Sequence, residues 1–534
     1  KMNTLRKAFG YCAVFLLLFL AACGGRAAAT EEAPKELLSG EDYAAATEAA
    51  AVEDAPGPEQ PASIMPGSGN PVPTAGANNE PYDMFFEDYG VNPSIDTEDD
   101  NLSTFALDVD TGSYTVMRNY LNDGYLPPSD SVRVEEYINY FDQGYELPSE
   151  HQTFNIYIDG GPSPFTQTER YDMLRIGIQG YEVPDEERKD AALTFVIDVS
   201  GSMDMDNRLG LVKQSLEMLV EQLHHDDTVS IVVYGSEARV VLEPTRGSDT
   251  GEILSAIYSL QPEGSTNAEA GLRLGYRMAM EAYNTGGINR VILCSDGVAN
   301  VGETGPEAIL EEIDHFVEEG ITLTTIGFGM DNYNDTLMEQ LADQGNGFYA
   351  YVDNRDEARK LFIDEITGTL QTIALDAKVQ VEFNPEVVRN YRLVGYENRD
   401  VADEDFRDNE VDAGEIGAGH SVTALYEIKL QPEAYGKIAT VFMRWEDPDT
   451  HQVVEISQDY FADKLERDFR ETDPYFQRSV VVAEFAEILK DSYWAEDSSL
   501  DDVYNEARRI EDELRRDNDM EEFVDLVKKA VRLW

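Results

Sequence analysis

Apolar and polar positions alternate in different ways along this chain, and each pattern predicts a different kind of segment. Ala13 to Ala22 is almost wholly apolar and follows a positive stretch containing Lys1, Arg6 and Lys7. It is too short to span a bilayer as a mature helix, and it reads as the hydrophobic part of a signal peptide over 1–23. From Gly24 to about Glu80 large apolar residues almost vanish, leaving Ala, Glu, Pro and Gly. Such a composition cannot bury enough surface to offset ordering entropy, which predicts a flexible tether over 24–80.

Residues 81–185 predict a mixed α+β region. A strand pattern covers Ser103 to Val109, helical periodicity covers Ser113 to Leu121 and Val132 to Phe141 on either side of Pro127 and Pro128, and strand patterns return at Phe154 to Ile158 and Met173 to Ile178. Over 190–374 nearly continuous apolar strands alternate with amphipathic helices. The strands are Leu193 to Val199, Val229 to Tyr234, Arg239 to Leu242, Arg290 to Cys294, Thr322 to Gly327 and Phe348 to Val352. The helices are Leu209 to Gln222, Asn267 to Tyr283, Pro306 to Glu319, Asp335 to Gln344 and Asp356 to Leu370. This alternation predicts a doubly wound, mostly parallel α/β sheet covered on both faces, with ligands at the carboxyl ends of its strands. Over 375–460 helices give way to strand patterns with turn residues between them, which predicts a β-sandwich. A helical pattern fills 461–534. Strands on both sides of the α/β segment suggest that it is inserted into the β domain.

Composition narrows the function. The 534 residues carry 41 Lys and Arg against 105 Asp and Glu, a formal charge of −64. A surface so acidic repels phosphate backbones, so nucleic acid is excluded as a partner. The acidity is spread along the chain, which fits either adaptation to salt or an acidic extracellular surface kept soluble by charge. Of three cysteines, Cys12 would leave with a signal peptide and Cys23 ends the sequence Leu20-Ala21-Ala22-Cys23. That tetrapeptide resembles the lipobox of bacterial lipoproteins, which implies lipidation of Cys23 and attachment to the extracytoplasmic face of a bacterial membrane. Cys294 would then stand alone, with no intrachain disulfide.

Candidate chemistry concentrates at one edge of the predicted α/β sheet. The first strand ends in Asp198-Val199-Ser200-Gly201-Ser202, Gly264-Ser265-Thr266 precedes a helix, and Ser295-Asp296-Gly297 leaves the strand ending at Cys294. Oxygen side chains at alternate positions on such loops can converge on one hard cation. Asp198, Ser200, Ser202, Thr266 and Asp296 resemble, in order and context, the metal-ion-dependent adhesion site (MIDAS) of von Willebrand factor type A domains. Leu102 to Thr111, Asn139 to Asp142, Ile178 to Tyr181, Leu341 to Asp343 with Gly345 to Gly347, and Asp412 to His420 are similar to the bacterial YfbK-like A-domain lipoproteins. The resemblance implies a bound divalent cation, Mg²⁺ first and Mn²⁺ or Ca²⁺ as alternatives, whose open position takes an acidic residue of a protein partner.

Other motifs lead elsewhere. Asp108-Val109-Asp110-Thr111 lacks the surroundings of a phosphatase nucleophile and reads as a turn after a strand. His224 and His225 are adjacent and form no zinc motif. No nucleophile elbow or phosphate loop occurs. The expectation is therefore a non-enzymatic, membrane-anchored adhesion or interaction protein; the alternatives are a metal-dependent hydrolase or a structural scaffold of the cell envelope.

Overall fold

The computed structural model describes residues 82, 84–149, 151–165, 171–297, 313, 315–317, 319–330 and 333–534, all within the unit formed by residues 77–534. The expected signal peptide, Cys23, the tether over 24–80 and most of the helix expected at Pro306 to Glu319 lie outside the described residues.

Ahead of the α/β segment come three short strands, β1 (Met84–Phe85), β2 (Ile95–Asp96) and β3 (Leu102–Ala106). Two helices follow, α1 (Gly112–Asn122) and α2 (Val134–Asn139), and then the antiparallel pair β4 (Phe154–Pro162) and β5 (Asp172–Gly180). The α/β segment runs β6 (Ala191–Asp198), α3 (Arg208–Val220), β7 (Thr228–Tyr234), β8 (Ala238–Arg246), α4 (Thr250–Ser259), α5 (Ala268–Glu281) and β9 (Ile288–Ser295). It continues through β10 (Thr322–Phe328), β11 (Tyr333–Asn334), α6 (Asp335–Gln344), β12 (Tyr349–Val352), α7 (Arg355–Arg359) and α8 (Ile366–Leu370). Its sheet has the order β12-β10-β9-β6-β7-β8, parallel throughout except where β8 runs against β7.

The reason β6 reads as an unbroken apolar run is now visible. Leu193, Phe195 and Ile197 join one core and Val196 joins the core on the other face, so neither side of the strand meets water. The strand also marks where the winding reverses: the chain leaves β6 for β7 and β8 on one side and returns to β9 on the other. Loops leaving the carboxyl ends of β6 and β9 therefore part and leave a crevice, the usual ligand position in such sheets.

After the α/β segment come β13 (Thr372–Phe383), β14 (Val388–Val394), β15 (Gly414–Gly417), β16 (Ser421–Leu430), β17 (Lys437–Glu446) and β18 (Val453–Phe461). One sheet is ordered β15-β13-β17-β18 with β3 added on β13, and the other β2-β14-β16-β5-β4. Phe383 of the first stacks on Tyr391 of the second with centroids 4.4 Å apart, beside Tyr426. Because β5 pairs with β16 and β3 with β13, the sandwich takes strands from both sides of the α/β segment, as expected of an insertion.

The chain closes with α9 (Pro474–Leu489), α10 (Leu500–Glu513) and α11 (Asn518–Leu533). They share one core with α1 and α2, in which Phe523 meets Phe141 and Phe485 edge-on. Buried ion pairs weld this helical layer to the α/β segment: Arg133 Nη1 donates to Asp335 Oδ2 at the start of α6 (2.7 Å), and Arg118 reaches Asp353 and Glu357. No helix among the described residues is long and apolar enough to cross a membrane.

Two local expectations need correction. Helix α4 lies where no helix was expected, and the single helix expected over Asp356 to Leu370 is broken. A π-helical turn at Lys360–Asp364 separates α7 from α8.

Candidate metal centre

Asp198 is the last residue of β6 and is fully buried. Its Oδ1 accepts the Ser200 amide proton at 2.7 Å and its Oδ2 accepts the Ser295 hydroxyl at 3.2 Å, which fixes the carboxylate between the loops after β6 and β9. Burial pushes its pKa up to about 6 against the opposing pull of the Ser200 hydrogen bonds, and the Asp296 carboxylate adds to the rise.

The loop after β6 turns so that Ser200 Oγ and Ser202 Oγ lie 3.0 Å apart. Ligands about 2.1 Å from Mg²⁺ at neighbouring corners of an octahedron are separated by about 3 Å. The two hydroxyls, hydrogen-bonded to each other, stand at a spacing compatible with neighbouring corners around Mg²⁺, and a donor set of hydroxyl and carboxylate oxygens suits a hard cation.

The segment carrying Thr266 is strapped to this loop through the backbone. Gly201 donates to the Gly264 carbonyl at 3.2 Å, and the Glu263 amide donates to the Val199 carbonyl. Gly264 has φ +76°, a conformation open to glycine at little cost. Thr266 follows two residues later, half-buried, and Asn267 then caps α5 by accepting the Ala270 amide at 3.1 Å.

Asp296 is 4% exposed and accepts Arg208 Nη1 on Oδ2 at 2.8 Å. Asp198, Ser200 and Ser202 are thus linked by hydrogen bonds, Asp296 is held by Arg208, and the segment carrying Thr266 is tied to the loop after β6 through its backbone. Arg208 was not anticipated from sequence, because its partners lie 88 and 122 residues away. Asp204, further along the same loop, is exposed.

Among the described residues, the group of carboxylate and imidazole side chains closest to a metal-binding arrangement is Asp190, His224 and Asp227, at the opposite edge of the sheet. Asp227 is saturated by N–H donors: Arg188 Nη2 (2.6 Å) and the His224 amide (2.6 Å) on Oδ2, and the Ala191 amide (2.7 Å) on Oδ1. It is a structural knot that anchors the start of β6. Asp108 and Asp110 sit in the turn after β3, where Asp108 Oδ2 accepts Arg399 Nε (3.1 Å) and Asp110 Oδ1 accepts the Tyr349 amide (2.9 Å).

This fold and these loops define a von Willebrand factor type A domain protein, and residues 192–364 match the von Willebrand factor type A domain family. Residues 368–533 match the family described as "Uncharacterized protein YfbK, C-terminal" and residues 80–172 one described as "von Willebrand factor". It is 42% identical to the "Uncharacterized protein YfbK" of Escherichia coli over 352 residues, 65% of this chain and 61% of that one. It is 26% identical over 287 residues to the "Uncharacterized protein sll0103" of Synechocystis, covering 52% of this chain and 67% of the relative. Among solved structures, a von Willebrand factor type A protein from Catenulispora acidiphila aligns over 70% of this chain and 89% of its own, with 16% identity and a TM-score of 0.42.

Proposed function

We propose that this is a non-enzymatic protein of the bacterial cell envelope, lipid-anchored through Cys23, whose A domain binds a protein partner through a divalent cation. Asp198, Ser200, Ser202, Thr266 and Asp296 hold the ion, Mg²⁺ first, and an acidic side chain of the partner completes its shell. The observation that carries this reading is the 3.0 Å spacing of the Ser200 and Ser202 hydroxyls on a loop strapped to the Thr266 segment. Hydroxyl ligands leave a cation electrophilic, which suits it to take up a carboxylate from outside. The acidic surface supports the same reading, since it gathers divalent ions and repels acidic partners until the ion offers a local positive contact. Cys294 is buried, which pushes its thiol pKa up and sets it aside as a nucleophile.

Affinity capture from envelope extracts, with and without chelator and with Asp296→Ala as control, tests the reading. A partner retained only by the unsubstituted protein with Mg²⁺ present supports it; chelator-insensitive capture, or the same capture by Asp296→Ala, defeats it. Loss of membrane attachment on Cys23→Ser tests the anchor.

A further inference from the structure

Arg208 opens α3 immediately after the metal loop, and its side chain is only 3% exposed. Nη1 donates to Asp296 Oδ2 at 2.8 Å, and Nη2 donates to the Met330 carbonyl in the loop after β10. That loop is shaped to receive it. Gly329 has φ +87°, and a β-carbon there would run into the Arg208 stem, so the backbone passes against the side chain where only glycine leaves room. The guanidinium is held in place from both ends by a planar fork that a lysine could not reproduce.

We infer that Arg208 is the residue that sets which cation the site accepts, by engaging one oxygen of Asp296 and leaving that carboxylate chiefly the other to offer. The inference rests on the metal reading above. Ca²⁺ takes six to eight oxygens and uses bidentate carboxylates readily, whereas Mg²⁺ demands near-octahedral geometry with single oxygens. With one acceptor site of Oδ2 taken and the carboxylate held in place by Arg208, Asp296 would meet the ion chiefly through Oδ1, directly or through water. The positive charge beside it also keeps a second carboxylate from overcompensating the ion, which leaves the cation attractive to a partner's carboxylate. Arg208 is a positioning residue: it acts on the ion through Asp296.

The test is calorimetric titration of the purified full chain with MgCl2 alone and with CaCl2 alone, for the unsubstituted protein, Arg208→Met and Arg208→Lys, with melting temperatures recorded for each. Releasing Asp296 Oδ2 lets the carboxylate close on the larger ion, so the ratio of Kd for Ca²⁺ to Kd for Mg²⁺ falls about tenfold in Arg208→Met. Arg208→Lys falls between the two, because one ammonium cannot hold Asp296 and the Met330 carbonyl together. A purely structural loss weakens both ions alike and leaves the ratio where it was. If Arg208→Met fails to fold, the Lys variant decides, since any resolved fall in its ratio supports the inference and none overturns it. Binding by the unsubstituted protein with an unchanged ratio in the variants overturns this inference alone; no binding of either ion to the unsubstituted protein overturns the metal reading and this inference with it.

Discussion

Gly264 stands so close to Ser236 that a β-carbon placed on it would lie 2.5 Å from the Ser236 hydroxyl and 2.8 Å from its amide nitrogen. The contact presses the Thr266 segment onto the loop after β7, and from there onto the metal loop through the Gly201 to Gly264 hydrogen bond. Gly264→Ala must therefore shift the strap as well as strain a positive φ, at a cost of about 1–3 kcal/mol. Chemical denaturation should show that loss, and Mg²⁺ titration should show weakened binding, while Gly251→Ala, whose added carbon meets nothing within 4 Å, serves as the control.

Metal removal gives a second expectation. Saturating Mg²⁺ at about a hundred times Kd should stabilise the fold by about 2.7 kcal/mol, and chelator should reverse it. Asp296→Asn keeps an acceptor for Arg208 but removes the charge, so its melting temperature should be insensitive to Mg²⁺.

Acidification should weaken the ion. Asp198 must be deprotonated to bind, and burial has raised its pKa to about 6. Mg²⁺ affinity should be level above pH 7 and fall by about tenfold per pH unit well below 6. Calorimetry at pH 7.5, 6.0 and 5.0 checks this, and a flat profile would contradict it.

At the opposite edge of the sheet, Asp227 and Arg188 form a buried pair with side-chain exposures of 0% and 1%. Removing one partner strands the other charge, so Asp227→Ala should cost about 3–5 kcal/mol in chemical denaturation. Because its oxygens are taken by N–H donors, Zn²⁺ should leave the melting temperature of the unsubstituted protein unchanged.

His420 tests the sandwich side of the molecule. Burial, with Arg290 and Lys360 nearby, lowers its pKa from 6.5 to about 4, and its Nδ1 is buried without a partner. The folded protein thus keeps His420 neutral while the unfolded chain takes up a proton below pH 6.5. Its contribution to stability is fully present above that pH and is lost as pH falls toward 4, by about 2 kcal/mol at pH 5. The difference in unfolding free energy between the unsubstituted protein and His420→Leu, measured at pH 7.5 and 5, isolates this from the many carboxylates that titrate in the same range.

The central strands of the α/β sheet were legible because burial on both faces leaves an apolar record at most positions, as in Ala191–Asp198. The candidate loops stood out in the sequence because Asp198, Ser200 and Asp296 lie at strand ends and Thr266 lies just ahead of a helix. Helix α4 escaped because it opens on Thr250-Gly251 and buries little beyond Ile253, Ala256 and Ile257, too narrow a stripe to stand out. Strand β15, Gly-Glu-Ile-Gly, carries almost no alternation by which a sequence could mark it as a strand. The shared core of α1, α2 and α9 to α11 could not be read at all, since periodicity shows that a helix has an apolar face and says nothing of what covers it. Arg208 is the sharpest case: a buried arginine looks the same in sequence as one in water.

The insertion has a consequence in time. β3 finds its partner β13 only after the whole α/β segment has emerged, and β5 must likewise wait for β16. Closing so long a loop is entropically costly, and non-local pairing is slow, unless the intervening chain has already folded and brought its ends together. The α/β segment includes every ligand of the candidate centre, and α1, which completes one face of its core with Val116 and Tyr120, precedes it in the chain. Folding in the order of synthesis would put the loops of the candidate centre in place before the sandwich closes around them.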